Sequence, residues 1–452
     1  MKLFEQIKDI DFPAPLPETL LHVRQTFDAT KIEDIPAAAR DATDKLMTKM
    51  SPGDTVAVGV GSRGIANLPL VVKNVLDRLT EKGMKPFVIP TMGSHGGATV
   101  EGQMDVLANL GVTPESMGVE FRPTMEVQKI GKIVDGPILY QDVNAAAADH
   151  AILVSRIKPH TDFRSHLESG PSKMCVIGFG KQFGASIMHT GGVPAFQKYL
   201  APAARVYETN TNFAGAVVLV ENAYDETAII DGMTPAEVGL DREAELQQLS
   251  KDMMPSIPFE KVDVLVLKAM GKDISGAGMD PNITGRLMLP REPEVFNGPD
   301  LAIISVLTLT EATHGNSTGL GFADVTTFRV ADEINWQVMY MNGITSGIFG
   351  ARRNHLPMCM PDDKRALMTS LRICGQPQAT ALMVFMHDTL TLDEMWISPS
   401  LRAEAEAHPR VEILEEVALG FGSDGTMQSP WTLAPFDVSM ALNGTNGSDS
   451  AF

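Results

Sequence analysis

The sequence is poor in cysteine and in positive charge, and it has no long apolar run. Three cysteines (Cys175, Cys359 and Cys374) stand far apart in 452 residues, which argues against a disulfide framework and against a Cys-rich zinc site. Lys and Arg number 37 against 56 Asp and Glu, a formal net charge of −19. A polyanionic surface repels phosphate backbones, so nucleic acid is not an expected partner. No stretch reaches the roughly 18 apolar residues of a membrane span. The opening MKLFEQIKDIDFPAPLPETL also lacks an apolar core of signal-peptide length. No membrane partner is expected, and the cytoplasm is the expected location. Neither H-E-x-x-H nor H-x-H occurs, so zinc hydrolysis lacks its usual spacing.

What is present is an alternation of short β-branched apolar runs with segments of helical period, an α/β signature. Strands are expected at 54–60, 85–90, 151–155, 216–222, 262–270, 301–307 and 380–386. A helix is expected between the first two, ending at Gly83, and another from the Thr99 cap to about Asn109. Thr234-Pro235-Ala236-Glu237 reads as a capping box opening a polar helix that runs through Ser250 and connects two lobes. The expected architecture is therefore two α/β lobes with the active site in the cleft between them. The N-terminal lobe spans 1–255 and the C-terminal lobe 256–452, with a loose tail from about 442.

Chemistry-bearing residues gather near predicted strand ends, where open α/β sheets keep their sites. VGVGSRGI (58–65) has G-x-G-x-x-G spacing, which is compatible with a nicotinamide-dependent dehydrogenase. The next strand, KPFVIPTMGSHGG, ends without the acidic residue such a site needs for the ribose. An anion-binding turn with Arg63 as a carboxylate clamp is the other functional reading. His95 sits between small residues in TMGSHGGAT, open to a ligand and suited to acid/base work near neutral pH. The segment 156–192 is the densest, with three of the ten histidines (His160, His166, His189), Lys158, Lys173, Lys181, Arg164 and Glu168 among glycines. A Gly-rich segment, 272–286, opens the second lobe and carries Arg286. A non-catalytic binder of an acidic metabolite is a further reading of the same residues.

The order S-R-G, G-S-H, K-P-H, S-K-M, M-H-T resembles the nickel-dependent lactate racemases, a family of 2-hydroxyacid racemases and epimerases. The match covers most of 40–350 and is strongest over 54–192. The resemblance implies two α/β lobes with the site between them, and a nickel-pincer nucleotide (the nickel adduct of pyridinium-3,5-bisthiocarboxylic acid mononucleotide) tethered to a lysine. It implies His95 and His160 as paired acid/base catalysts, Lys173 as the tether and His189 as the nickel ligand. The 16-residue separation of Lys173 and His189 is the family's spacing. It further implies Arg63 as a substrate contact, with Arg286 and Arg164 as additional cationic groups. Inversion would proceed by proton-coupled hydride transfer at C2, and proteins that synthesise the cofactor would be partners. The segment between His160 and Lys173 is longer than in the family, and Val60 stands where the family has an acidic residue. With Arg164, His166 and Glu168 as extra polar groups, the expected substrate is a hydroxy acid larger and more polar than lactate.

Overall fold

The computed structural model describes residues 2–431 except Arg63. The described residues divide into two compact α/β units, one formed by Asp28–Met254 and the other by the residues up to Phe27 together with 255–431. The tail expected from about residue 442 lies outside the described residues.

In the Asp28–Met254 unit, five strands form one sheet in the order Lys85–Pro90, Thr55–Val60, His150–Arg156, Phe213–Glu221, Thr227–Met233. The first four run parallel and the last returns antiparallel. The parallel strands are continuous apolar runs because both of their faces are covered. Val56, Val58 and Val60 share one core with Ala39 and Leu46 of helix Ile35–Leu46 and with Val71, Val75 and Leu79 of helix Leu68–Glu81. The latter helix stops before Gly83, whose φ of 86° ends it cheaply. Phe179, Tyr207 and Phe213 form a second cluster that joins the long helix Gly192–Asn210 to the sheet.

Only half of the expected capping box forms: the Thr234 N–H and hydroxyl both donate to Glu237 Oε2, at 2.8 and 2.7 Å, while the Glu237 N–H donates to the Thr234 carbonyl and not to its hydroxyl. The turn they close does not propagate. Gly239 adopts φ 77°, and a Cβ there would lie 2.7 Å from Ala204 Cβ, so the chain breaks where it crosses the long helix. The helix proper is Asp241–Asp252. It is no exposed connector, since Glu243 and Gln247 are fully buried within the Asp28–Met254 unit.

The other unit holds an eight-stranded mixed sheet. Its parallel part runs Met358–Met360, Val325–Thr327, Asp300–Leu309, Lys261–Met270, Met383–Met386. Glu394–Ile397, Thr19–Gln25 and Val411–Ala418 continue it antiparallel. Thr19–Gln25 is paired on both edges, Val23 lying opposite Met395 and Ile413. That pairing draws the first 27 residues out of the N-terminal lobe expected over 1–255, which instead begins at Asp28.

Candidate active site

The parallel strands of the Asp28–Met254 sheet end together at Val60, Pro90 and Arg156. The loops that follow carry Ser62, His95 and His160, and the helical segment beyond the third loop carries Lys173 and His189. Adjacent parallel strands thus bring Ser62 and His160, 98 positions apart in sequence, to one edge.

The loop after Arg156 is organised by one buried carboxylate. Glu168 is fully buried; its Oε2 accepts from the His160 N–H (2.9 Å) and Arg164 Nη1 (3.3 Å). Its Oε1 accepts from the Ser165 N–H (2.9 Å) and lies 2.7 Å from Lys251 Nζ. Gln247 Oε1 in turn accepts from the N–H groups of Glu168 and Ser169. Burial of a carboxylate is tolerable only when it is satisfied in this way. Glu168 is therefore an internal staple of the loop, contrary to its expected part in enlarging a polar substrate site. Arg164 also donates to the His160 carbonyl (2.9 Å), so it helps hold the loop that carries His160.

Two aromatic rings gather the candidate residues. His160 lies on Phe163 with centroids 4.5 Å apart, and Phe163 stacks on Phe196 at 5.5 Å. His189 meets the same Phe196 ring edge-on at 5.1 Å, and Lys173 Nζ lies 5.9 Å from its centroid. The surrounding protein disfavours the His189 imidazolium, and the nearby Lys173 charge disfavours it further against a smaller opposing effect of Asp162, so its pKa is lowered. A neutral imidazole is the metal-ligating form. Among the described residues no three His, Cys, Asp or Glu side chains converge on a point that could hold a metal. Lys173 Nζ and the His189 ring thus meet at one aromatic ring, that of Phe196.

The segment joining Lys173 to His189 is irregular. Pro171–Met174 is one α turn, Cys175–Phe179 is a π-helix, and Lys181 has φ 53° before the helix Lys181–Thr190. π-helical turns are frequent at functional sites. Lys181 is fully buried and donates to the Pro90 carbonyl (2.6 Å) and Gln103 Oε1 (2.8 Å). Burial lowers its pKa to about 8 and raises that of Asp142, 3.8 Å away, to about 6. Gln103 Nε2 also donates to the Met92 and Gly93 carbonyls (3.1 and 3.2 Å). The clamp fixes the His95 loop to the helix of His189, and at Gly93 a Cβ would come within 3.0 Å of Ala185 Cβ. Neither Gln103 nor Asp142 is identifiable from motif spacing, since their partners lie on other elements.

Each candidate catalytic histidine has an Nδ1 partner of dual character. Ser62 Oγ bonds His95 Nδ1, and a hydroxyl can donate or accept. His160 Nδ1 accepts from the Asp162 N–H at 3.0 Å, and Asp162 Oδ2 stands 3.9 Å from the same nitrogen. Arg63 lies outside the described residues. Arg286, in the other unit, donates to Asp324 Oδ2 (2.6 Å) and to the carbonyls of Phe322, Leu301 and Ala302. Those bonds give its guanidinium a structural task. Residues 315–319 read G-x-S-x-G, but Ser317 is fully buried and its hydroxyl has no hydrogen-bond partner among the described residues, unlike the exposed serine of a nucleophile elbow.

Neither a family model nor a curated protein matches the sequence. Among solved structures, the chain is similar to the lactate racemase apoprotein from Thermoanaerobacterium thermosaccharolyticum. That likeness has 11% identity and a TM-score of 0.49, and it covers 82% of this chain and 99% of the other. Among the described residues no helix is long and apolar enough to cross a membrane.

Proposed function

We propose that this protein is an isomerase, a racemase or epimerase that inverts the C2 centre of a 2-hydroxy acid with a nickel-pincer nucleotide. The observation that carries the reading is the gathering of His160, Lys173 and His189 around the Phe163–Phe196 pair. Lys173 would tether the nucleotide and His189 would give nickel its protein ligand. The chemistry supplied by that group, when bound, is an electrophilic carbon for the C2 hydrogen and its bonding electrons.

The chain's own residues handle the proton. Inversion needs a base for the hydroxyl on one face of the planar keto acid and an acid on the other, with roles exchanged in the reverse direction. A histidine that works as base and then as acid through Nε2 keeps its Nδ1 proton in both states, so Nδ1 needs an acceptor. The Ser62 hydroxyl oxygen can accept from His95 Nδ1–H. For His160 the Asp162 carboxylate would be that acceptor, whereas the Asp162 N–H matches the tautomer with a bare Nδ1 and the proton on Nε2. Arg164 and the Glu168 staple keep His160 in place, and Arg63 is the proposed carboxylate clamp. Arg286 is left out of the substrate site, because its donors are engaged within its own unit.

The test is production of the protein together with the cofactor-synthesis proteins, followed by intact-mass and metal analysis. The expected result is an adduct on Lys173 with nickel in the same preparation, both lost in Lys173→Ala. Neither adduct nor nickel on the wild-type protein would sink the reading. A loaded protein is then given a panel of 2-hydroxy acids in deuterated water. Return of the original hydrogen to C2 supports transfer with its electrons, and solvent exchange points to a carbanion.

A further inference from the structure

The unit that lacks the candidate histidines carries a cavity of its own. It measures about 310 Å³ and is lined by Lys268, Leu307, Arg329, Asp363, Met427 and Trp431, among others. That volume lies at the small end of the range for small-molecule pockets. Lys268 comes from strand Lys261–Met270 and Leu307 from its parallel neighbour Asp300–Leu309, so the floor is sheet and the arrangement rigid. Arg329 and Asp363 come from the starts of the helices Phe328–Glu333 and Asp363–Ile373.

The charges on this wall do not cancel. Asp363 is committed on both oxygens, Oδ1 to Arg329 Nη2 (2.8 Å) and Oδ2 to the Met427 N–H (2.9 Å). Arg329 is thereby balanced. Lys268 has no hydrogen-bond acceptor and no carboxylate partner among the described residues; its ammonium lies 5.8 Å from the centroid of the Trp431 ring. Burial alone lowers its pKa; His387 is lowered first by its own burial and further by the Lys268 charge. A second donor, the indole N–H of Trp431, is buried without an acceptor among the described residues. A half-buried cation without a counter-ion, in a cavity walled by indole, Leu307 and Met427, calls for a ligand that brings one negative charge and an apolar body.

We propose that this cavity is a binding site for a small organic monocarboxylate, a reading independent of the function proposed for the residues around His160. Lys268 takes the carboxylate, and Trp431, Leu307 and Met427 cover the apolar part. The charge count selects the class: one unpaired ammonium matches one carboxylate, whereas a dianionic phosphate would leave a buried charge unmatched.

Benzoate is the probe, titrated into the full-length protein and followed by tryptophan fluorescence and calorimetry, with acetate and inorganic phosphate as comparisons. Saturable binding of benzoate at millimolar concentrations is expected, with acetate weaker for want of an apolar body and phosphate weakest. Lys268→Gln should weaken benzoate about tenfold or more, Lys268→Arg should retain it, and His160→Ala should leave it unchanged. Near-UV dichroism checks that each variant keeps the wild-type packing, and Lys268→Met serves as the second variant if Lys268→Gln does not. Absence of saturable benzoate binding overturns the proposal. So does phosphate binding tighter than benzoate, or benzoate affinity that survives Lys268 removal and falls in His160→Ala.

Discussion

Glu243 is fully buried beneath the turn that presents Lys173. Its Oε1 accepts from the Ser172 N–H (3.1 Å) and hydroxyl (2.8 Å), and its Oε2 from the Gly239 N–H (2.6 Å). Burial raises its pKa from the ordinary 4.5 to about 7, against the opposing effect of those bonds. An acid raised in this way binds more protons folded than unfolded between those two values. Its contribution to stability is therefore full below pH 4.5 and is lost as the pH climbs through about 7. The interval corresponds to about 3 kcal/mol.

Glu243→Gln is neutral at every pH, so the variant should lack that slope. Its single acceptor oxygen cannot serve both Ser172 and Gly239, which costs about 1–2 kcal/mol at low pH. The variant should therefore be the weaker protein near pH 5 and should match or exceed the wild type near pH 8. All three tryptophans (Trp336, Trp396, Trp431) lie outside the Asp28–Met254 unit, so intrinsic fluorescence is blind to the effect. Hydrogen exchange of peptides covering 170–180, corrected for the intrinsic pH dependence of exchange, is the suitable assay. Equal pH slopes in wild type and Glu243→Gln would refute the assignment of Glu243 as the titrating group.

Three shorter predictions concern neighbouring residues. In the unloaded protein His189 should titrate below the ordinary 6.5, and Lys173→Gln should move it upward by removing the like charge, as read by imidazole NMR signals. Phe196→Ala should cost about 3–5 kcal/mol, because Phe196 is 3% exposed, and should lower the melting temperature of this unit. Phe196→Leu should recover most of that stability without restoring the Lys173 and His189 contacts, which a split between melting temperature and adduct yield would register. Arg286→Gln should lower stability by about 1–3 kcal/mol, since Asp324 loses its ion pair and three carbonyls lose a donor. An effect of Arg286→Gln on substrate affinity alone, with stability untouched, would contradict the structural role.

The strands and the histidines were legible in the sequence for the same reason. A buried parallel strand must be an apolar run, and its C-terminal end must open into a loop, so Val60, Pro90 and Arg156 announce where Ser62, His95 and His160 follow. The carboxylates were not legible. Glu168 stands among site residues in sequence, and only its bonds to Lys251 and Gln247, from a helix some 80 positions on, turn it from a surface charge into an internal staple. Glu243 serves a turn 71 residues earlier, and Arg286 closes on Asp324 and three carbonyls in its own unit. Thr234 is instructive from the other side: its bonds to the Glu237 carboxylate supply half of the motif, yet the turn stops at Gly239, whose φ of 77° leaves the helical region. Motif spacing thus locates the candidate groups well, since an element's end is where a ligand can reach a side chain. It carries the groups that hold them poorly, since holding needs a partner, and the partner's position is set by the fold.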